Sequence, residues 1–517
     1  MNIAFRVDSS IQIGIGHVMR CLSLADQIKN KASNIFFVTR SLDGSMEQFI
    51  SEKGYKVILL PSNDEIIIGK KNSFQSNEFK EFDWLQDLNA TKEAIEDKKI
   101  DWLIVDHYGI DYRWHKIIAK FTNKIMIIDD LANRKLHCNV LLDQTYGRKF
   151  EDYDQLIDKE TEMLLGANYA LLRPEFSNLR IPAVNKRKKI ESISNVLISI
   201  GGMDYKNITQ KVLDVFLKVE WKKNIEVNIV LNNQAPNRKS IKYFVKNIKS
   251  NHKFNLLINP ENMADLMFEA DLAVGSSGTS TWERCTMGLP TIAICVADNQ
   301  KFISKILHKD GVHIALTLDE YEEIPCLFSE LCRVNNHPDN LKNLSNESLK
   351  ICQAKGSILV ALKILPYYTN DGGKIDLRKV EISDSKLIYD WQKNPKTREY
   401  ANDSSIPSWD NHIDWMSQKI NSSLSYFWLV LHNGIASGVL RFDPINLGEG
   451  DGYLISIFTD PNKYGLGIGK KAIDIAKYIF LGTTLYAKVL ENNKRSISLF
   501  SGSDFKFRED LTYFEWR

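Results

Sequence analysis

The pattern that most narrows the fold is an alternation of short, nearly unbroken apolar runs with amphipathic stretches. After an apolar start at residues 1–5 come 34–39 (NIFFVT), 55–60 (YKVILL), 101–106 (DWLIVD), 124–129 (KIMIID) and 139–143 (NVLLD). Strands this apolar, separated by helices, argue a parallel sheet covered on both faces. The sequence therefore predicts an α/β unit over residues 1–145. A second series, at 196–200 (VLISI), 226–231, 255–258, 272–274 and 291–295, predicts another over 195–365. Residues 146–194, of mixed polarity with Pro174, Pro182 and a basic run at 186–189, read as a connecting region.

A chain of 517 residues asks for roughly three compact units. Apolar and charged contents of 44% and 26% allow each to bury a core. The net charge of +2 is spread along the chain, which marks neither a nucleic-acid partner nor a membrane surface. Seven scattered cysteines, with no CxxC pair and no His/Cys cluster, predict no metal and the reduced thiols of a cytoplasmic protein. The start MNIAFRVDSS lacks the basic and apolar segments of a signal peptide, and no apolar run approaches membrane-spanning length.

The chemistry of the first unit centres on residues 6–20, RVDSSIQIGIGHVMR. A turn through Gly14 and Gly16 delivers His17 to the head of an apolar-periodic helix (Val18, Cys21, Leu22, Leu24, Ala25, Ile28). Glycines there let a ligand approach the backbone, and free N–H groups at a helix start favour an anion. A histidine at that mouth can exchange protons near neutral pH; a capping histidine beside a tight turn is the plainer alternative. Ligands of parallel sheets gather at the carboxyl ends of the strands. Asp8, residues 106–108 and residues 129–130 are therefore expected around His17.

In the second unit a Gly-Gly turn at Gly201 follows the first strand. The loop 275–280 (GSSGTS) precedes a helix carrying Glu283. Backbone N–H groups there, with Ser276, Ser277 and Thr279, suit a diphosphate, and the helix dipole favours its charge. Glu283 would accept hydrogen bonds from ribose hydroxyls, and Asn299 and Gln300 point toward the same cleft. Gly14, Gly16, Arg20, Gly201, Ser277, Gly278, Thr279, Glu283 and Gln300 form the candidate substrate-binding set.

Residues 366–375 read as a linker. Beyond them, helical stretches at 384–393 and 411–420 and strands around Asn433-Gly434 predict a smaller α+β unit over 376–517. Residues 464–469 (YGLGIG) open an amphipathic helix, a second pyrophosphate-type turn.

Several strings recur here in one order: RVDSSIQIGIGHVMRCLSLA, DHYGID (106–111), DDLANR (129–134), YALLRPEF (169–176), ISIGGMD (198–204), GSSGTSTWE and ADNQ (297–300). Together they resemble the UDP-2,4-diacetamido-2,4,6-trideoxy-β-L-altropyranose hydrolase family of pseudaminic acid biosynthesis, over about residues 1–365. The resemblance implies two Rossmann-like domains in a glycosyltransferase-B-type arrangement. It also implies an inverting attack of water at the anomeric carbon of a UDP-sugar substrate. His17 becomes the key catalytic residue, Tyr108 an active-site wall and Asn299 a sugar-pocket residue, while Asp8 would orient His17 or hold a sugar hydroxyl. A glycosyltransferase using the same nucleotide pocket is the rival.

Residues 376–517, with YGLGIG and VLENNKRSISLF (489–500), resemble the GCN5-related N-acetyltransferase family. That resemblance implies acetyl-CoA. Its pyrophosphate would lie on Leu466, Gly467, Ile468 and Gly469, and its pantetheine arm along Ile455 and Ile457. Asn493 stands where that family has a cofactor-contacting asparagine. Three departures stand out: Tyr464 opens the glycine loop, Phe500 replaces a proton-donating tyrosine, and Asp504 replaces a glycine. A water or Tyr486 would substitute as the acid, and Glu449 and Asp451 are candidate bases. A non-catalytic docking tail, or one acetylating protein amines, is the alternative for this unit.

Overall fold

The computed structural model describes residues 1–61, 82–201, 203–317, 323–401, 403–447, 451–509 and 513–517. They form two compact units, Met1–Ser357 and Ile358–Arg517. Among the described residues no helix is long and apolar enough to cross a membrane.

The first unit holds two all-parallel sheets. From edge to edge the first runs Lys56–Leu60, Asn34–Arg40, Asn2–Val7, Ile100–Asp106, Thr122–Ile128, Val140–Asp143, Glu162–Leu165. The chain order reverses between Asn2–Val7 and Ile100–Asp106, which lie in register with Val7 opposite Asp106. Such a reversal opens a crevice beyond the strand ends. Residues 8, 106–108 and 129–130 therefore gather at one rim. The second sheet runs Lys253–Ile258, Glu226–Leu231, Asn195–Ser199, Leu272–Ser276, Thr291–Cys295, Ile314–Thr317. Its reversal, between Asn195–Ser199 and Leu272–Ser276, brings residues 200–201 beside 276–277.

The strands are apolar because both faces are covered. Ile3, Phe5, Leu103 and Ile104 are fully buried, each side chain stabilising the fold by about 1.5–3 kcal/mol. Two regions depart from the sequence reading. The connecting region supplies the edge strand Glu162–Leu165 and two short helices, Pro174–Asn178 and Arg180–Arg187. The four-residue strand Ile314–Thr317 adds the other sheet's edge.

Beneath the first crevice lies a buried ionic web. The Arg6 guanidinium donates to both carboxylate oxygens of Asp8, at 2.6 and 2.8 Å, and to Asp87 on the helix Trp84–Ile95. Arg40 and the Trp114 indole N–H also donate to Asp87. Burial pushes both carboxyls up, but Arg6 outweighs it and holds each below the usual carboxylate range. A carboxyl depressed in the folded state contributes stability above its unfolded pKa of about 3.9, and loses it as pH falls from there toward the folded value. The urea midpoint of this unit is expected to stay level from about pH 7 to 5 and to drop below about pH 4. Asp87→Asn should start lower and show a shallower acid limb; an equally steep limb would place the acid sensitivity elsewhere.

The second unit is a mixed sheet ordered Tyr367–Tyr368, Lys374–Lys379, Tyr426–His432, Ile435–Asn446, Asp451–Thr459, Thr484–Ala487, Tyr513–Trp516, Lys506–Arg508. The stretch expected as a linker is here a hairpin, with Tyr367 and Tyr368 paired to Ile375 and Lys374. Asp451–Thr459 pairs with Ile435–Asn446 along its whole length, but with Thr484–Ala487 only over Gly452–Leu454. From Ile455 onward that side of the strand is splayed open.

Candidate active site

His17 stands at the head of the helix Gly16–Ile28, directly after the first strand's loop. Its Nδ1 lies 2.6 Å from Asp106 Oδ1. A carboxylate only accepts, so Nδ1 carries the proton and the Nε2 lone pair is left open. Among the described residues no hydrogen bond engages Nε2. Arg20 Nε and a terminal nitrogen donate to the two Asp106 oxygens, each at 2.6 Å, and Arg20 reaches Asp130 at 3.2 Å. The 3.1 Å approach of Arg20 to His17 Nδ1 is then a contact of two donors sharing Asp106 Oδ1. Burial raises the Asp106 carboxyl, but Arg20 and then His17 outweigh it and keep it ionised far below the ordinary range. Tyr108 donates its hydroxyl to Asp130 at 2.7 Å, and its ring meets the His17 ring edge-on at 4.7 Å.

Asp8 does not orient His17. It is 2% exposed and committed to Arg6, to the Arg40 backbone N–H and to His107 Nε2 at 3.2 Å. Asp106 has the orienting role that sequence reasoning left unassigned. Its signal was present as the first letter of DHYG, but pairing residues 89 apart depends on sheet order, which the pattern does not encode.

The two halves of this unit meet at a cleft of about 240 Å³, whose walls include Gly16, Arg20, Arg173, Thr279 and Glu283. A Cβ at Gly16 would sit 3.5 Å from Thr279 Oγ1, so the histidine loop of one half directly faces the serine-rich loop of the other. Gly201, at φ +117°, lies beside Ser276, and Gly278 beside Ser276 and Gln300. Glu283 is raised by burial, with Arg173 at 3.8 Å pulling it back. Ser277 departs from expectation: its hydroxyl is buried against Ser304 Oγ at 3.0 Å, leaving its backbone for a ligand. Gln300 accepts the Val296 N–H. Asn299 lies in the single turn Asp298–Gln300, and its side chain is outside the described residues. No group of three or more His, Cys, Asp or Glu that could hold a metal ion occurs among the described residues.

In the second unit Gly465 (φ +88°) and Gly467 (φ +82°) need glycine's left-handed conformation to open the helix Ile468–Ile479. A Cβ at Gly465 would meet nothing within 4 Å, so the loop's backbone is uncovered. With the free edge from Ile455 onward, this fits an extended arm ending in a pyrophosphate. Asn493 caps the helix Lys494–Ser501, accepting the Ser496 N–H at 3.0 Å. Phe500 packs on Phe505 and Phe514 in the core. Tyr486 is 2% exposed against Gly452, a core residue rather than an exposed acid. Asp504 adopts φ +67°, the conformation its usual glycine would take, and accepts from Lys477. Glu449 lies outside the described residues; Asp451 opens its strand, bonded to Asn446.

A curated Campylobacter jejuni protein named UDP-2,4-diacetamido-2,4,6-trideoxy-beta-L-altropyranose hydrolase is 30% identical over 61% of this chain and 98% of its own length. The chain belongs to that hydrolase family. An uncharacterised Methanocaldococcus jannaschii protein is 26% identical over the whole chain and 99% of its own, so the hydrolase unit and its C-terminal extension recur together. Residues 386–505 match the acetyltransferase (GNAT) family, which joins acetyl-CoA chemistry to the hydrolase-family unit. The MurG structure of Acinetobacter baumannii aligns over 70% of this chain and 99% of that one, at TM-score 0.52 and 14% identity. At that identity it speaks for the fold alone, the two-sheet glycosyltransferase-B type. The protein is thus a nucleotide-sugar enzyme of the hydrolase family carrying an acetyltransferase domain.

Proposed function

We propose that the chain is bifunctional in pseudaminic acid biosynthesis. Its first unit hydrolyses UDP-2,4-diacetamido-2,4,6-trideoxy-β-L-altropyranose with inversion, and its second acetylates the 4-amino group of the UDP-sugar precursor. The observation that carries the first assignment is His17 Nε2, without a hydrogen bond among the described residues and next in the chain to the cleft-lining Gly16, while Nδ1–H is held by Asp106. Water deprotonated by Nε2 attacks the anomeric carbon, the bond to the diphosphate oxygen breaks, and UDP leaves. Asp106 stabilises the imidazolium, Tyr108 packs the ring in place, and the 275–279 backbone receives the diphosphate.

In the second unit acetyl-CoA would supply the acyl group transferred to the sugar amine. The open edge from Ile455 and Ile457 would hold the pantetheine amides, and the loop 465–469 the pyrophosphate. With Phe500 in the core, no tyrosine hydroxyl is offered from that position, so the departing thiolate takes its proton from solvent or the amine.

The test follows both products in one tube, using the UDP-linked 4-amino precursor with and without acetyl-CoA. CoA release followed by UDP release supports both activities and sets their order. UDP release from pre-acetylated sugar alone keeps the hydrolase and removes the acetyltransferase reading. No UDP from either sugar overturns the hydrolase reading and returns the glycosyltransferase alternative.

A further inference from the structure

The loop expected to receive the diphosphate was given its electrostatics, from sequence, by the dipole of the helix behind it. That helix, Ser280–Thr286, is only seven residues long, so few peptide dipoles align there. Beneath the loop lies a full charge instead. Arg284 is 2% exposed, and its guanidinium donates to the Ser276 carbonyl at 2.6 Å, to Ser280 Oγ at 3.0 Å and to Thr281 Oγ1 at 3.2 Å. Its Nε has no partner among the described residues. A Cβ at Gly275 would come within 2.9 Å of the guanidinium and 3.0 Å of the Ser199 carbonyl, so a glycine is needed for the side chain to pass under the loop.

The contrast with the other buried arginines gives this arrangement its meaning. Arg6, Arg20 and Arg40 each face a carboxylate. Arg187 and Arg180 donate to carbonyls at helix ends, Arg187 after Met263–Glu269 and Arg180 at Thr286, Leu349 and Cys352, where partial negative charge collects. Arg284 faces one carbonyl and two hydroxyls, and no described carboxylate pairs with it; its neighbour Glu283 turns toward Arg173. Burial without a counter-charge lowers its pKa to about 10. A buried cation lacking an anion is costly unless an anion arrives.

We propose that Arg284 is a positioning residue that presents fixed positive charge, through the loop it braces, to the diphosphate of a bound nucleotide. The role rests on the nucleotide-sugar reading of the cleft. It extends that reading by naming where the charge that favours UDP over uridine resides. A preorganised charge in a dry site stabilises a departing anion without reorganisation.

Binding of UDP and of uridine to the full chain, measured by calorimetry, tests it. Arg284→Gln removes the charge, its amide ending at the Nε position and short of the Ser276 carbonyl, whereas Arg284→Lys keeps the charge and reaches farther. In the Gln variant UDP is expected to weaken by about thirtyfold, with uridine changed less than about threefold; the Lys variant should recover most of the loss. Parallel loss of both ligands, or equal behaviour of the two variants, overturns the proposal. If neither variant folds, the wild-type protein decides. A buried charge is little screened, so its preference for UDP over uridine should persist from about 0.05 to about 0.5 M NaCl. A preference that disappears with salt assigns the diphosphate to surface cations instead. Wild-type protein that binds neither ligand overturns the nucleotide reading itself, a failure distinct from the charge assignment.

Discussion

His17→Ala is expected to reduce UDP release by about a thousandfold while leaving UDP affinity within about threefold of the wild type. The separation follows from what the imidazole touches. Its partners are Asp106, on Nδ1, and the Tyr108 ring, both in the first half of the cleft. The loop assigned to the diphosphate belongs to the second half. Removing the ring does not orphan Asp106, because Arg20 holds both of its oxygens at 2.6 Å. A stranded buried carboxylate would cost about 3–5 kcal/mol and endanger the fold; one still paired with a guanidinium does not. Tyr108 likewise keeps its bond to Asp130. Turnover from the UDP-sugar and UDP calorimetry check the two halves of the expectation. Unchanged turnover would remove His17 from the chemistry. Loss of UDP binding in step with turnover would make it a packing residue of the pocket.

The parts of this site that were legible in the sequence are those that a local pattern can carry. Continuous apolar runs marked the central strands because those strands are buried on both faces. The Gly-x-Gly-His turn was legible because loop and helix are adjacent in the chain. The edge strand Glu162–Leu165 was not, since it opens on a charge and only Leu164 of it is buried, so it lacks the continuous apolar run that marks a strand covered on both faces. The Pro366–Lys374 string hid its hairpin for another reason: its pairing partner is the next strand of a different unit from the one it seemed to leave. Asp8 illustrates the deeper limit. It ends a strand beside His17's loop, as an orienting carboxylate would, yet it is claimed by Arg6 from its own strand. Asp106, far along the chain, arrives at His17 only because the sheet places the fourth strand beside the first. Arg284 was silent for a related reason. An arginine in a short helix reads as surface, and only the packed loop reveals that it is buried without a described counter-ion.

Asp106→Asn is expected to lower UDP release by about a hundredfold to ten-thousandfold with little change in KM, through the wrong imidazole tautomer. In the wild-type protein Asp106 Oδ1 takes the His17 Nδ1 proton and one Arg20 donor, while Oδ2 takes Arg20 Nε. An asparagine has one oxygen for these three donors. With that oxygen toward Arg20 Nε, its NH2 faces His17 and makes Nδ1 an acceptor, so Nε2 carries the proton and no longer accepts one from water. With the oxygen toward His17, the NH2 opposes Arg20 Nε, two donors in contact, and the guanidinium keeps only its terminal nitrogens, one on that oxygen and one on Asp130 at 3.2 Å. The first arrangement damages catalysis and the second stability, so the variant should also melt lower than His17→Ala. Because Asp106 acts through His17, the two substitutions should not multiply: the double variant should be no slower than His17→Ala alone. Steady-state rates of the three variants with a thermal melt of each provide the check. A double variant slower by the product of the single losses would mean that Asp106 reaches the substrate by a route of its own, and that the ordering of His17 is not its main contribution.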